Sequence, residues 1–226
     1  MAEKLKSEGK CLFCGKMYSK AGINRHLATH LDEKAKIEKS GYSFLVKVET
    51  HKGWGATPYF LSLWIDGETT MKTIDGFLRD IWLECCGHLS EFEGVGMTKK
   101  AKDVFQKGIQ LDYEYDFGST TALTLTVIDT YPIKADTKIV LLSRNEPLEI
   151  MCSICGKVPA TQICTVCMYD ADAMFCDKCA KKHAKECEDF DDYAALPVVN
   201  SPRMGICAYL GGTIDTERDG VFVLKK

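Results

Sequence analysis

Twelve cysteines and five histidines stand out in this chain of 226 residues, and eight of the cysteines form four pairs with two residues between the partners. Cysteines at this spacing are typical of metal sites, redox pairs or disulfide frameworks. The first ten residues are charged and lack the apolar stretch of a secretory signal, which favours a reducing, cytoplasmic location. We therefore expect metal binding rather than disulfides.

The first constellation lies near the N-terminus and combines two thiols with two imidazoles. Cys11 and Cys14 are followed, after eleven residues, by His26 and His30, which are one helical turn apart. Two thiolates from a turn and two imidazoles from one helix face supply the four ligands of a tetrahedral Zn²⁺. The alternative, two turn cysteines and unrelated histidines, has to explain all these spacings at once.

These spacings resemble the Cys2His2 zinc-finger family over roughly residues 9–31. The spacer of eleven residues is one shorter than the usual twelve, which implies a shortened connection between strand and helix. The positions that contact bases in the family hold Ser19, Ala21, Gly22 and Arg25 here, and only the arginine suits a bidentate guanine contact. Lys10, Lys16 and Lys20 have two interpretations: they contact phosphate groups, or they form a basic surface that is only solvated.

The second constellation holds eight potential ligands. They are Cys152, Cys155, Cys164, Cys167, Cys176, Cys179, His183 and Cys187. Eight ligands suffice for two closed tetrahedral sites, and the last three of them are spaced as on one face of a helix. An iron–sulfur cluster and a redox-active pair are the alternatives, which the even spacing and the histidine disfavour.

This pattern resembles B-box and related double-zinc modules. The resemblance implies an interleaved pairing, with Cys152, Cys155, Cys176 and Cys179 on one ion, and Cys164, Cys167, His183 and Cys187 on the other. Sequential pairing along the chain remains an alternative.

Together with the finger, the two constellations predict three zinc ions held by nine cysteines and three histidines. Fully coordinated zinc is structural, which argues against a zinc hydrolase. Three cysteines are left over, Cys85, Cys86 and Cys207, and we interpret the first two as packing residues.

The elements between the two constellations predict one α+β domain with a mostly antiparallel sheet. Phe44, Val46 and Val48 alternate with other side chains as in a strand, and several later segments repeat this pattern. An apolar stripe from Ile74 to Cys85 predicts one main amphipathic helix, with Thr73 as its cap. A single helix of this kind covers one face of a sheet.

Composition and pattern together divide the chain into four parts. We predict a zinc finger in residues 1–31, a charged linker or helical extension in residues 32–41, the α+β domain in residues 42–150, and the double-zinc module with its tail in residues 151–226. The net charges of residues 1–40, 41–150 and 151–226 are +4, −5 and −2. A protein that grips long stretches of phosphate backbone needs a broad basic face, which the acidic middle disfavours.

Two segments of the middle domain resemble the plasmid pRiA open-reading-frame-three-like family: WLECCGHLSEF at 82–92 and LDYEYDFGS at 111–119. The resemblance covers roughly residues 42–150 and extends through the cysteine-rich segment to about residue 212. It implies an α+β fold, a link to mobile genetic elements and no defined activity. After YDFG this chain departs from the family pattern of an acid, Trp and His, and has Ser119, Thr121 and Leu123.

The motifs for phosphate binding (GxxxxGK), zinc proteolysis (HExxH) and serine hydrolysis (GxSxG) do not occur in the sequence. We expect a zinc-stabilised, non-enzymatic protein that binds nucleic acid or a protein partner and no membrane, since no run approaches about eighteen apolar residues. The sequence leaves the oligomeric state open.

The alternative to a binding protein is an enzyme in which His88 and Asp116 act as acid and base beside Tyr115. The simpler interpretation is that Asp116 caps a turn before Gly118.

Overall fold

The chain forms two compact units in a computed structural model that describes residues 5–37, 39–51, 57–169 and 173–216. The first, here the sheet unit, comprises Lys6–Arg79 and His88–Glu146. The second, here the C-terminal unit, comprises Met1–Leu5, Asp80–Gly87 and Pro147–Lys226. The predicted finger thus groups with the main sheet, and a short segment of the middle domain groups with the double-zinc module.

The sheet unit begins with the finger. A hairpin of β1 (Glu8–Lys10) and β2 (Met17–Ser19) precedes the helix α1 (Ile23–Ile37). The helix therefore continues through residues 32–37 of the charged segment, as in the helical-extension interpretation. Its buried residues are Ile23, Asn24, Leu27 and Leu31, which lie on one face.

Six antiparallel strands follow. They are β3 (Ser43–Thr50), β4 (Phe60–Asp66), β5 (Ser90–Phe92), β6 (Gln110–Tyr115), β7 (Thr121–Tyr131) and β8 (Ile139–Arg144). Two short helices interrupt them, α2 (Met71–Leu78) and α3 (Ala101–Val104). The strands lie in the order β5-β6-β7-β3-β4-β8, with β7 and β3 at the centre. The predicted α+β class with a mostly antiparallel sheet is confirmed.

The finger helix lies against one face of this sheet. Leu27 and the other buried residues of α1 share one apolar cluster with Leu45 of β3 and Trp64 of β4. Polar contacts fix the same interface, because Ser62 Oγ donates a hydrogen bond of 2.8 Å to the buried Asn24 Oδ1. The finger is therefore not a free module, and its apolar core is continuous with that of the sheet.

The main amphipathic helix differs from its prediction at both ends. The N-cap is Thr70, whose hydroxyl accepts a hydrogen bond from the Thr73 backbone N–H, so Thr73 lies inside the helix. At the other end, α2 passes into a π-helical turn, Arg79–Leu83. Cys85 lies beyond this turn, so the apolar stripe continues past the point where the helix ends.

The C-terminal unit has a small antiparallel sheet and one helix. Its strands are β9 (Gln162–Cys164), β10 (Met174–Phe175) and β11 (Ala195–Pro197), with β9 in the middle, and its helix is α4 (Asp177–His183). Within the described parts of the chain, no helix combines the length and the apolar character that crossing a membrane requires.

Candidate metal centres

The N-terminal centre is formed by the hairpin and by α1. Cys11 and Cys14 lie in the turn between β1 and β2, where Gly15 adopts a φ of 70° and its N–H donates to the Cys11 carbonyl. His26 and His30 project from α1, and the four donor atoms lie within 4.8 Å of one another. The structure thus brings together the four residues that the spacing predicted.

The distances within this centre suit a tetrahedral ion. The Cys14 Sγ lies 3.2 Å from the His26 Nε2, and the two imidazole Nε2 atoms are 3.1 Å apart. Zinc with bonds of about 2.0–2.3 Å places its ligand atoms about 3.3–3.8 Å apart, close to what is found here. Burial, with the charges of His30 and Lys16, lowers the pKa of His26, which favours the neutral imidazole that a metal needs.

Aromatic side chains hold the two histidines of this centre in place. The Tyr18 ring stacks on His26 at 3.9 Å between centroids, and Phe13 packs at 5.1 Å from His30. One of the three lysines considered for phosphate contacts has partners within the protein: Lys20 Nζ pairs with Glu49 Oε1 at 2.9 Å and donates to the Thr57 carbonyl. The exposed surface of the finger is therefore less basic than its composition suggests.

The C-terminal unit holds two further centres whose ligands alternate along the chain. The first has Cys152, Cys155, Cys176 and Cys179, and the second has Cys164, Cys167, His183 and Cys187, each with its donor atoms within 4.8 Å. This is the interleaved grouping that the B-box resemblance implied. The Sγ–Sγ distances of 3.9 Å (Cys155–Cys176) and 3.9–4.0 Å (Cys187 to Cys167 and Cys164) are close to those of tetrahedral zinc.

The helix α4 contributes to both centres. Cys176 is its N-cap, Cys179 lies within it and His183 is its last residue. Cys187 lies after the helix, in a turn where its N–H donates to the His183 carbonyl. The spacing of these ligands predicted one continuous helix, whereas the last ligand is reached by a turn.

Two thiols in the first of these centres have pKa values that are shifted in opposite directions. Burial disfavours the thiolate of Cys152, but backbone N–H groups of Cys155, Cys176 and Ile154 outweigh it and lower the pKa to about 6. Burial and hydrogen bonding to the neighbouring thiols raise the pKa of Cys179 to about 12. Four thiols packed so closely do not all ionise together unless a cation balances their charge.

The side chain of His183 indicates most directly that a metal belongs in these centres. Its ring lies between Phe175, stacked at 4.3 Å, and Phe190, edge-on at 5.0 Å. Its Nε2 is buried and has no hydrogen-bond partner within the described segments. A buried imidazole nitrogen is rarely left without a partner, so the donor set fits a bound ion.

A separate arrangement, outside the three centres, matches the alternative enzymatic prediction. His88 Nε2 lies 3.4 Å from Asp116 Oδ2, and the Tyr115 ring packs edge-on against the imidazole at 5.7 Å. Asp116 also accepts hydrogen bonds from the N–H groups of Gly118 and Ser119 and has a φ of 64°. The same carboxylate therefore forms the predicted turn and the predicted pair with histidine.

A buried carboxylate beside this pair had no signal in the sequence beyond its place near the start of a helix. Asp75 Oδ1 accepts hydrogen bonds from Ser90 Oγ at 2.6 Å and from Tyr113 Oη at 2.8 Å, and Arg79 lies 4.0 Å away. Burial, followed by the charge of Asp75, raises the pKa of Tyr113. This network ties α2 to β5 and β6 within the sheet unit.

Replacing Asp75 by asparagine should destabilise the sheet unit by about 1–3 kcal/mol, because the charge-assisted hydrogen bonds of a buried carboxylate are lost. Urea unfolding followed by far-ultraviolet circular dichroism measures the change. Tyr113→Phe is the matched control, since it removes one donor, leaves the carboxylate with its other partners and should cost less. An unchanged midpoint for Asp75→Asn would show that the network does not stabilise the fold.

Comparisons with known proteins leave the family of this chain undetermined. No protein-family model matches the chain, and no curated protein matches it. Among solved structures, a protein of unknown function from Methanosarcina mazei Go1, MM3350, is similar with a TM-score of 0.39 and 17% identity, over 69% of this chain and 88% of that one. A likeness at this level carries no conclusion about function, and the predicted membership of the middle domain in the plasmid pRiA open-reading-frame-three-like family stays a prediction.

Proposed function

We propose that this chain is a zinc-stabilised, non-enzymatic binding protein that recognises a protein partner or nucleic acid. The observation that carries the proposal is that the donor atoms of each of the three predicted groups of four Cys and His ligands lie within 4.8 Å of one another. Four protein ligands fill the coordination of zinc and leave no position for a substrate or an activated water. Zinc in such centres stabilises a fold and does not catalyse a reaction.

The packing of the finger supports a stabilising role for the N-terminal ion. Leu27 and Leu31 of α1 are completely buried in a cluster that includes residues of the main sheet. A finger that reads DNA as a separate module has no need of such a cluster. We infer that the N-terminal zinc fixes α1 on the sheet.

The surface of the double-zinc module supports a protein partner rather than nucleic acid. Ile154 lies between the cysteines of one pair and has 67% of its surface exposed, and Tyr169 is 83% exposed. Val166, in the equivalent position of the next pair, is also exposed. Apolar side chains presented on a rigid zinc knuckle are typical of protein interfaces, while phosphate recognition needs basic ones.

The partner class is tested with the intact protein immobilised and exposed to a nuclease-treated extract. We expect a protein to be retained after nuclease treatment, to be lost with Ile154→Asp and to be kept with Leu12→Asp. The second variant makes the same apolar-to-acidic change at an exposed position of the sheet unit. Retention that disappears with nuclease, or that both variants keep equally, would contradict a protein-binding site on the module.

The finger is expected to make no specific contact with duplex DNA. The Arg25→Ala variant should bind DNA within about twofold of the wild type, because a lost bidentate guanine contact, worth about 1–3 kcal/mol, would weaken binding roughly fivefold or more. Fluorescence anisotropy with labelled duplexes at low and high salt measures the affinity. A loss of fivefold or more, dependent on sequence, would establish the finger as a DNA-docking element.

The pair of His88 and Asp116 favours a second candidate, an enzyme that uses acid–base chemistry in the sheet unit. Their separation of 3.4 Å and the adjacent Tyr115 are the observations that support it. Under the binding proposal, purified protein turns over no nucleotide, nucleic acid or peptide. Turnover that is abolished by His88→Ala and by Asp116→Ala would replace the binding proposal with the enzymatic one.

A further inference from the structure

The three cysteines that remain outside the predicted zinc centres lie together in the C-terminal unit. Their Sγ atoms are within 4.8 Å of one another, at 3.7 Å for Cys85–Cys86 and 3.6 Å for Cys86–Cys207. A disulfide holds its sulfurs at about 2.0 Å, so these thiols are not cross-linked. Thiolates on one tetrahedral zinc, each bonded at about 2.3 Å, are about 3.8 Å apart.

Distant parts of the chain are held together to form this group, here the three-cysteine cluster. Cys85 and Cys86 follow the π-helical turn, and Cys207 lies 121 residues after Cys86. Ser201 Oγ donates to the Trp82 carbonyl at 2.7 Å, and the Thr213 N–H donates to the Asp80 carbonyl at 2.7 Å. These hydrogen bonds come from residues on either side of Cys207 in the sequence. They fix the tail against residues 80–82 and so hold the Cys207 thiol near Cys85 and Cys86.

Close packing accompanies the hydrogen bonds between the tail and residues 80–82. A Cβ built on Gly212 would lie 2.3 Å from the Ile81 carbonyl oxygen. Only glycine allows the two backbones to approach this closely. The tail therefore passes residues 80–82 in direct backbone contact.

A buried cation lies beside the cluster. Arg203 is completely buried, and its Nη2 donates to the Cys85 Sγ at 3.4 Å. The positive charge of this guanidinium would offset part of the negative charge that three metal-bound sulfurs bring to the site. Donors of this kind to ligating sulfurs are common in the surroundings of metal sites and tune the ion.

The exposure of the cluster distinguishes it from the other centres. Cys86 and Cys207 are exposed and Cys85 is half-buried. Each of the other centres has at least one buried cysteine, and these include Cys11, Cys152 and Cys164. An accessible site of three thiolates exchanges its ion more readily than a buried site of four ligands. Soft sulfur ligands select thiophilic ions such as zinc over magnesium or calcium.

We infer that Cys85, Cys86 and Cys207 form a further, exchangeable binding site for a thiophilic metal ion, which clips the C-terminal tail to the segment after α2. On binding zinc the thiols lose their protons to solvent, and no electron transfer takes place. This site goes beyond the proposed function, which depends only on the three four-ligand centres.

Native mass spectrometry of the intact protein, prepared with a phosphine reductant and a slight excess of zinc, tests the inference. We expect four zinc ions on the wild type, three on Cys207→Ser and four on Leu210→Ser, a control at an exposed position of the same tail. Three ions on both the wild type and Cys207→Ser would overturn the inference. The same result would leave the three four-ligand centres, and the proposed function, unaffected.

Alkylation of the wild type keeps the test decisive if Cys207→Ser fails to fold. With zinc bound, the three cysteines should resist iodoacetamide, and a mild chelator should expose them before any other cysteine of the chain. Peptide mapping reads the three positions separately. Equal labelling of the three with and without zinc would also overturn the inference.

Discussion

Replacing Cys164 by serine is expected to unfold the double-zinc module. The residue is completely buried, and the apolar cluster of the module consists largely of the ligands themselves together with Phe175 and Phe190. Structural zinc contributes about 10–16 kcal/mol to the folding of small zinc domains, as much as the whole stability of an ordinary domain. Without one ligand of one centre, the module loses part of the cluster on which its fold depends.

Limited proteolysis with mass mapping, combined with zinc analysis, measures this effect. We expect cleavage within residues 151–197 and the loss of one or both zinc ions of the module. Val166→Ala is the matched control, because it changes an exposed side chain in the same loop without touching a ligand. A Cys164→Ser protein that resists protease and retains its zinc would contradict this account of the module.

Replacing Leu27 by alanine should destabilise the sheet unit as a whole, by about 2–5 kcal/mol. The side chain is completely buried in the cluster shared by α1, β3 and β4. Its removal leaves a cavity between helix and sheet, and the surrounding residues relax only in part. The effect is large because the finger and the sheet share one core.

The unfolding of the sheet, followed by far-ultraviolet circular dichroism in urea with zinc present, measures the loss. Glu33→Ala is the control, since this residue lies on the exposed side of the same helix and should change the midpoint little. If Leu27→Ala released the N-terminal zinc but left the urea midpoint of the sheet unchanged, the finger would be an independent module. That result would contradict the docking of α1.

The twelve predicted ligands could be recognised in the sequence because the spacing within each pair is local. Pairs such as Cys11 and Cys14 have two residues between them, and a turn that brings one thiol to an ion brings the other as well. The interleaved pairing needed a resemblance, since spacing alone also allows sequential pairing. The structure groups the donors in the interleaved way, and the identity of the ion stays a prediction.

The three-cysteine cluster could not be predicted because tertiary contacts create it. Cys85 and Cys86 continue an apolar helical stripe in the sequence, which suggested packing, but the helix has ended before them. Cys207 lies far along the chain in a segment without regular structure. The only signal in the sequence was the number of cysteines: three remained after the other nine had been assigned to predicted zinc sites.

The contacts between the finger and the sheet could not be predicted from the sequence either. Its ligands and its helix could be predicted, but the residues that dock the helix also look like the small core of an isolated finger. Leu27, for example, packs with Trp64 of the sheet. Lys20 was a candidate for phosphate contacts, yet its ammonium pairs with Glu49. Which surface a side chain meets is decided by the fold and not by local pattern.

The zinc content of the intact, folded protein tests the central claim most directly. Elemental analysis of protein purified under reducing conditions and without a metal-affinity tag should give at least three zinc ions per chain, with no iron. Exhaustive chelation should then remove them and make the chain sensitive to protease. A folded protein that contains no zinc, or that holds iron in their place, would contradict the account.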